Sequence, residues 1–316
     1  MAAADGPGPG GCGCKGVRAC LLCEAAPPPQ MRENFVYCPV TGFAVGEEQS
    51  EYAGWAFLFP GVFLLEDFIS PDEERKMVEL MDYSTWKPSQ SGRRKQDYGP
   101  KVNFKKHKLK AGNFTGLPSF SQEIVTRMKE HSVLNGFLPV EQCNLDYGPE
   151  RGSAIDPHLD DWWLWGERLV SLNLLSATVL SMSRDSEDVL HLFPACLQKT
   201  PGSDPPADSQ DHQSNDLAPA GGLGNTTKPE SVSSPTRLMP SKEATVAIHL
   251  PRRSLVVLHG PARYSWKHAV HRNHIRSRRI CITFRELSAE FSHGGEQEEL
   301  GKKLLGMALT FQGTPV

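Results

Sequence analysis

The 316-residue sequence lacks the features that would direct it into or across a membrane. Its longest apolar stretch, residues 54–65, is interrupted by Pro60 and is too short to span a bilayer. Residues 2–11 contain neither a basic nor an apolar segment of the kind found in secretory signals. We therefore expect an intracellular protein, cytoplasmic and nuclear, with no membrane partner.

The sequence also lacks a large charge excess and the common catalytic motifs. With 34 basic and 37 acidic residues, its formal net charge is −3, which argues against binding nucleic acid through overall charge. Internal repeats, glycine-rich phosphate loops, G-x-S-x-G elbows and H-E-x-x-H helices are absent, so most nucleotide-driven and hydrolase functions are excluded. The 39% hydrophobic and 22% charged residues are typical of a globular protein and exclude a collagen, a coiled coil or a wholly disordered chain.

Short strands separated by turns dominate what the sequence does contain. Alternating and apolar runs predict two strands within 35–45 and others at 61–68, 142–147, 153–158, 168–181, 245–250, 254–259, 263–269 and 279–286. Helical spacing predicts helices beginning after Ser70, at 119–130 and at 296–310. The pattern favours a mainly β protein with flanking helices (α+β), built as a sandwich or barrel.

Composition divides the chain into four parts. Residues 1–11 are nearly all Ala, Gly and Pro and should be disordered, and 12–50 form a Cys-rich N-terminal module. A main domain is predicted over 51–197 and 244–316. Between its halves, 198–243 is rich in Pro, Ser, Gly, Asn and Asp without an aromatic residue, which predicts a disordered insertion.

Four of the eight cysteines fall within twelve residues, as Cys12, Cys14, Cys20 and Cys23. In a reducing compartment such clustering indicates metal or redox chemistry, since disulfides are rare there. Two close pairs of thiolates can hold one tetrahedral zinc ion, and Cys38 could replace one of them. The alternative is an incidental or reactive cysteine-rich tail.

The stretch from Asn144 to Trp165 contains the most informative motif. His158 and Asp160 are two residues apart near the end of a predicted strand, so their side chains project from one face. An imidazole and a carboxylate on one face can supply two ligands of a 2-His-1-carboxylate iron site. The third ligand must come from a distant strand, and the candidates are His259, His268, His271 and His274.

A second pattern lies in the last predicted strand. Arg279 and Arg285 are six residues apart within RICITFR, which places both on one face of a mostly apolar strand. Two inward guanidinium groups are costly unless they meet carboxylates, and a dicarboxylate cosubstrate meets that need. Pairing with core Asp or Glu residues is the structural alternative.

Together these residues resemble the AlkB-like Fe(II)- and 2-oxoglutarate-dependent dioxygenases over about residues 60–290 outside the insertion. The family motif is H-x-D, a distal His and R-x5-R. The resemblance implies a double-stranded β-helix (jelly-roll) core that uses Fe(II), 2-oxoglutarate and O2. It also implies the residue roles: His158, Asp160 and His268 (with His271 as runner-up) for iron, Arg279 for the distal carboxylate of 2-oxoglutarate, Arg285 near the metal-chelating end, and Tyr147 and Asn144 as cosubstrate contacts.

The implied reaction is oxidative removal of N-methyl groups, with release of formaldehyde, succinate and CO2. The resemblance favours monomethyl-lysine on a protein, namely actin and the actomyosin machinery, with N6-methyladenine in DNA as the alternative. A zinc-stabilised scaffold without catalysis is a further alternative.

The segment 92–110 carries eight Lys or Arg residues against one Asp, in the position of the family's substrate lids. A basic lid suits phosphates or an acidic protein surface, whereas a solvated loop is the simpler explanation. The candidate lid residues are Arg93, Arg94, Lys95, Tyr98 and Lys101. Of Trp162, Trp163 and Trp165, we expect at least two to pack in the core and one to border the pocket.

Overall fold

The structure, a computed structural model, describes residues 13–14, 20–23, 32–195 and 236–316. Its strands are β1 Phe35–Cys38, β2 Phe43–Gly46, β3 Trp55–Leu58, β4 Val62–Leu65, β5 Lys87–Pro88, β6 Arg94–Tyr98, β7 Lys101–Asn103, β8 Lys108–Lys110, β9 Glu141–Tyr147, β10 Ile155–His158, β11 Trp165–Leu174, β12 Thr178–Ser183, β13 Val189–Pro194, β14 Arg237–Pro240, β15 Thr245–Leu250, β16 Leu255–Leu258, β17 Lys267–Val270 and β18 Arg279–Leu287. Its helices are α1 Pro71–Tyr83, α2 Gln122–Met128, α3 Gly260–Tyr264 and α4 Glu298–Ala308.

Two sheets form the body of the protein. One has the strand order β10-β17-β12-β15-β1-β2-β3-β13-β14, and the other has the order β4-β16-β11-β18-β9-β6-β5. Phe35 and Met182 of the first sheet join Leu169 and Val256 of the second in one buried cluster, so the two sheets face each other across this core. The chain therefore forms the jelly-roll that the sequence predicted, with flanking helices.

Alternation along the strands of the second sheet separates two environments. In β18, Ile280, Ile282 and Phe284 pack against the helices on the outer face of the sheet. Arg279 and Arg285 point to the opposite face, into the space between the sheets. The even spacing of the two arginines thus places both in the interior, as a period of two requires.

The helices cover the outside of the sheets. Met77 and Met81 of α1 and Val125 of α2 pack on the seven-stranded sheet, while Leu304 and Ala308 of α4 belong to a third cluster beside it. In the part of the chain that the structure describes, no helix is both long and apolar enough to cross a membrane.

Two of the strands predicted from the sequence have other bounds in the structure. The run 168–181 is two strands, because the chain turns at Leu175, whose φ of 70° is incompatible with an extended strand. The run 263–269 begins in α3, and β17 starts only at Lys267. A strand-like composition could not reveal either interruption, since both depend on a local backbone turn.

Two predicted domain boundaries were also wrong. Residues 35–46 belong to the core sheet and not to a separate module, because β1 pairs with β15 in parallel and Phe35 is buried between the sheets. At the other boundary, Arg237–Pro240 forms β14 against β13, so 237–243 is ordered. Residues 1–11 and 198–235, predicted to be disordered, lie outside the described residues.

The start of α1 provides a stability prediction. The side chain of Ser70 accepts a hydrogen bond from the backbone of Glu73, whose carboxylate accepts from the backbone N–H of Ser70 and pairs with Arg127. Hydrogen bonding to Arg127 lowers the pKa of Glu73 from 4.5 to about 2. We expect Glu73→Gln to reduce the free energy of unfolding by about 1 kcal/mol at pH 7.

This loss should depend on pH in a defined direction. A carboxylate whose pKa is lowered on folding stabilises the protein fully above its unfolded pKa, and the contribution disappears as the pH falls from about 4.5 towards 2. Urea unfolding at pH 7 and pH 3 would measure it, with Glu79→Gln on the exposed side of α1 as the control. A difference from wild type that stayed constant over this range would contradict the assignment.

Candidate functional site

The residues predicted to bind iron and the two predicted arginines converge on one cavity between the two sheets. The empty space in this pocket, counted out to its solvent-open mouth, is about 590 Å³. Its polar lining includes His158, Asp160, His268, Arg279 and Arg285, and the remaining lining is mostly aliphatic. A largely apolar pocket with a few convergent polar groups is typical of a small-molecule site.

Three ligand residues meet because β10 and β17 are antiparallel neighbours. His158 lies opposite His268 in the register, and their ring centroids are 4.2 Å apart. Asp160 lies two residues after His158, the last residue of β10, and its Oδ1 is 3.5 Å from Nε2 of His158. One ligand atom from each of the three residues lies within 4.8 Å of the others. The set fits a 2-His-1-carboxylate iron centre.

The electrostatics keep these groups in the forms that bind metals. Burial, together with the neighbouring His158, lowers the pKa of His268 to about 3, so its imidazole is neutral at pH 7. Burial alone would raise the pKa of Asp160, but Arg285 and the two histidines outweigh it and hold that pKa well below its usual range. A neutral imidazole and an ionised carboxylate are the ligand forms that a divalent ion requires.

The other candidate histidines are not part of this group. His274 places its Nε2 3.0 Å from a carboxylate oxygen of Glu33, and the His271 ring lies 6.1 Å from that of His274. His259 precedes α3. Among the described residues, only His268 joins His158 and Asp160 in a three-residue ligand group.

Arg285 lies at the metal end of the cavity. Its Nε donates to Oδ2 of Asp160 at 2.6 Å, and its Nη1 donates to Glu141 at 2.7 Å. Glu141 and Arg285 are opposite each other in the β9–β18 register. Arg285 thus orients the Asp160 carboxylate and balances its charge. The structural alternative, in which an inward arginine pairs with acidic residues of the core, therefore holds for Arg285.

Arg279 occupies a different position, with one donor group left over. Its side chain is buried at 2% exposure, its Nε donates to Oδ1 of Asn173 at 2.6 Å, and the guanidinium lies 4.8 Å from the ring centre of Tyr147. Its buried Nη1 has no hydrogen-bond partner among the described residues. A buried cationic donor lining a cavity calls for an anionic acceptor, and a carboxylate of 2-oxoglutarate fits it.

The two residues of β9 that were predicted to contact the cosubstrate lie on opposite faces of the strand. Tyr147 lines the cavity, but Asn144 faces away, with its Nδ2 donating to Gln96 and its Oδ1 accepting from Gln142. The prediction for Asn144 was therefore wrong. A spacing of three along a strand puts the two side chains on opposite faces.

Sequence reasoning missed two residues that position the arginines, Asn173 and Glu141. Asn173 follows Leu169 and Ser171 on the inner face of β11, and this alternation within LVSLNL could have revealed an inward polar residue. Glu141 carried no comparable signal, because its role depends on lying beside Arg285 on the neighbouring strand.

The structure corrects most of the predicted lid. Arg93 and Tyr98 are buried, Arg94 donates from Nε to the buried Asp146 at 2.7 Å, and Lys95 is ion-paired with Asp97 at 2.7 Å. Arg94 thus joins β6 to β9, Lys95 pairs within β6, and Arg93 and Tyr98 are shielded from solvent. Of the five, Lys101 remains exposed.

The exposed basic surface is instead the β7–β8 hairpin. Its exposed lysines are Lys101, Lys105, Lys106, Lys108 and Lys110. The His107 ring of this hairpin stacks on Trp163, with centroids 4.7 Å apart and planes 11° apart.

Trp163 and Trp165 are buried as expected, whereas Trp162 is 74% exposed next to the iron-ligand loop.

The cysteine cluster is partly described. Sγ atoms of Cys14, Cys20 and Cys23 lie within 4.8 Å of one another. Cys12 lies outside the described residues. Cys38 is not a member of the group, because β1 places it beside Thr41 at a hairpin turn.

Comparison with known proteins identifies relatives over nearly the whole chain. The human alpha-ketoglutarate-dependent dioxygenase alkB homolog 4 is 56% identical over 313 residues, covering 96% of this chain and 95% of the human protein. The DNA N6-methyl adenine demethylase of Caenorhabditis elegans is 32% identical over 325 residues and covers 93% of each chain. The solved structure of OsALKBH1 aligns with a TM-score of 0.43 at 12% identity, over 72% of this chain and 98% of that one. No protein-family model matches the chain.

Proposed function

Because the chain belongs to the alkB family of alpha-ketoglutarate-dependent dioxygenases, we propose that it removes N-methyl groups oxidatively and that its main substrate is monomethyl-lysine on a protein. Membership in this enzyme family replaces the alternative of a non-catalytic scaffold. The observation that carries the proposal is that the His158, Asp160 and His268 group lines the same cavity as Arg279, whose Nη1 has no hydrogen-bond partner among the described residues.

Each cavity residue has a distinct task. His158, Asp160 and His268 would hold iron, which when bound supplies the site for O2 activation at the expense of 2-oxoglutarate. Arg279 would bind the distal carboxylate of that cosubstrate from Nη1 while Asn173 fixes its Nε. Arg285 keeps Asp160 ionised and oriented, and the aliphatic lining excludes water from the reacting groups.

The proposed reaction balances without a further reductant. One oxygen atom of O2 enters succinate as 2-oxoglutarate loses CO2, and the other becomes the hydroxyl of an N–CH2OH group. The C–N bond of this hemiaminal then breaks with transfer of the hydroxyl proton to nitrogen. The products are formaldehyde and the demethylated amine.

The surface beside the iron ligands supports an alkylammonium substrate. Trp162 and Asp161 follow Asp160 closely in the chain, and both are exposed. An aromatic face with nearby carboxylates is suited to a methylated ammonium group. By family resemblance the proposed protein is actin. N6-methyladenine in DNA is the second candidate, favoured by the name of the C. elegans relative and by the basic β7–β8 hairpin.

A paired assay tests the substrate. Full-length protein with Fe(II) and 2-oxoglutarate would receive, at matched salt, an actin peptide carrying monomethyl-lysine or an oligonucleotide carrying N6-methyladenine. We expect formaldehyde from the peptide and none from either substrate with His158→Ala. We also expect Trp162→Ala to raise the KM for the peptide by about tenfold through loss of a cation–π contact.

Each other outcome has a defined meaning. Formaldehyde from the oligonucleotide alone would replace the lysine proposal with DNA demethylation. In that case Lys105→Gln and Lys108→Gln should weaken oligonucleotide binding and its salt dependence. Succinate without formaldehyde from both substrates would overturn N-demethylation while leaving the dioxygenase chemistry intact.

A further inference from the structure

The N-terminal cysteines form a second ligand group, far along the chain from the iron ligands. Cys14 and Cys20 are buried, Cys20 completely, and Cys23 packs beside them. Their sulfur atoms all lie within 4.8 Å of one another, and Sγ of Cys20 is 3.7 Å from Sγ of Cys23. Three convergent sulfurs in a small cluster need a physical reason to be together.

Their separation matches metal ligation better than a disulfide. Thiolates bound tetrahedrally to zinc at about 2.3 Å lie about 3.8 Å from one another. A disulfide would bring two sulfurs to about 2.05 Å. The distance of 3.7 Å between Cys20 and Cys23 corresponds to an edge of such a tetrahedron.

Backbone donors are already directed at two of these sulfurs. The N–H of Ser91 lies 3.2 Å from Sγ of Cys14, and the N–H of Cys20 lies 3.3 Å from Sγ of Cys23. Such hydrogen bonds orient metal-bound thiolates and disperse their charge.

We infer that Cys14, Cys20 and Cys23 bind a structural zinc ion that attaches the N-terminal segment to the turns in front of the iron-binding strand. A tetrahedral zinc ion takes a fourth ligand in addition to these three sulfurs. The inference is independent of the proposed demethylation, since it concerns a different group of residues.

The attachment depends on close backbone approach at two glycines. Gly92 has a φ of 69°, and a Cβ there would lie 2.4 Å from the carbonyl oxygen of Arg151 and 3.1 Å from Cβ of Cys20. Gly152 has a φ of 60°, and a Cβ there would lie 2.4 Å from Cγ of Leu21. The cysteine segment therefore fits against both turns only because they lack side chains.

Hydrogen bonds continue from these turns to β10. The carbonyl oxygen of Gly92 accepts from Oγ of Ser153 at 2.6 Å and from Nε of Arg151 at 2.8 Å. The carbonyl oxygen of Ser91 accepts from the N–H of Ala154 at 3.0 Å. Ala154 directly precedes β10, which ends in His158, so the cluster supports the start of a strand that carries an iron ligand.

Metal content of the purified full chain tests the site. We expect about one zinc ion per chain in the wild type, at least a tenfold loss in Cys14→Ser and Cys20→Ser, and no loss in Cys38→Ser. Because zinc could also enter the iron site, His268→Ala serves as a second control and should retain its zinc. Cobalt substitution should give thiolate-to-cobalt absorption that persists in His268→Ala and disappears in Cys14→Ser.

Three results would overturn the inference. They are zinc content that is unchanged in Cys14→Ser and Cys20→Ser, iron with thiolate absorption in place of zinc, or a disulfide between these cysteines in freshly purified protein. If the serine variants fail to fold, cobalt titration of the wild type decides, since absence of thiolate-to-cobalt absorption would also reject the site.

Discussion

Replacing His268 with alanine is expected to lower the rate of succinate formation by more than about 100-fold, because the imidazole is one of three residues that bring the ligand atoms together. The same variant should lose high-affinity Fe(II) binding, measured by titration under anaerobic conditions. His268 is neutral and lies half-buried in the cavity, so its removal leaves no unpaired charge behind. The loss should therefore appear in metal binding before it appears in folding.

His271→Ala is the matched control for this variant. His271 is three residues further along the chain and was the second choice of the sequence pattern, but it does not belong to the ligand group. We expect it to keep most of the iron affinity and turnover. Equal losses in both variants, at unchanged melting temperatures, would refute the assignment of His268.

Arg279→Lys is expected to raise the KM for 2-oxoglutarate by about 10- to 100-fold, the equivalent of one or two charge-assisted hydrogen bonds. Lysine keeps the charge but loses the fork that allows Nε to bond Asn173 while Nη1 faces the cavity. Iron affinity should be unchanged, because Arg279 contacts none of the three metal ligands in the structure. Steady-state kinetics at saturating O2 would measure the effect.

Arg75→Lys on the exposed face of α1 is the control for this substitution, since Arg75 makes only surface ion pairs with Asp72 and Glu79. Its KM for 2-oxoglutarate should equal that of the wild type. If Arg279→Lys lowered the turnover number with an unchanged KM, Arg279 would have a role other than binding the cosubstrate.

The H-x-D pair of candidate iron ligands and the two arginines could be predicted from local spacing. A separation of two in H-x-D and of six in R-x5-R determines which side chains share a face, because side chains alternate along a strand. The capping residues at Ser70 and the apolar stripe of α4 are equally local, and both are present in the structure. These features depend on neighbours within one element.

The errors arose where a role depends on a partner far along the chain. Asn144 was predicted to contact the cosubstrate, but it lies on the face of β9 away from the cavity and donates a hydrogen bond to Gln96, forty-eight residues away. Arg94 was predicted to belong to a substrate lid, but its guanidinium forms an ion pair with the buried Asp146. A single sequence does not show which strand will lie beside β9, so these side-chain pairs could not be predicted from it.

The sequence by itself therefore determined the mainly β class, the H-x-D and R-x5-R groups and the presence of a cysteine cluster, since each follows from periodicity or spacing over a few residues, and the family resemblance added the jelly-roll. Only the tertiary structure decided that His268 lies beside His158 and Asp160, that Arg285 holds Asp160 while Nη1 of Arg279 has no partner among the described residues, and that the cysteines contact the turns before β10. The physical reason is that strand register brings together side chains more than a hundred residues apart, and burial then sets their charge and hydrogen bonding.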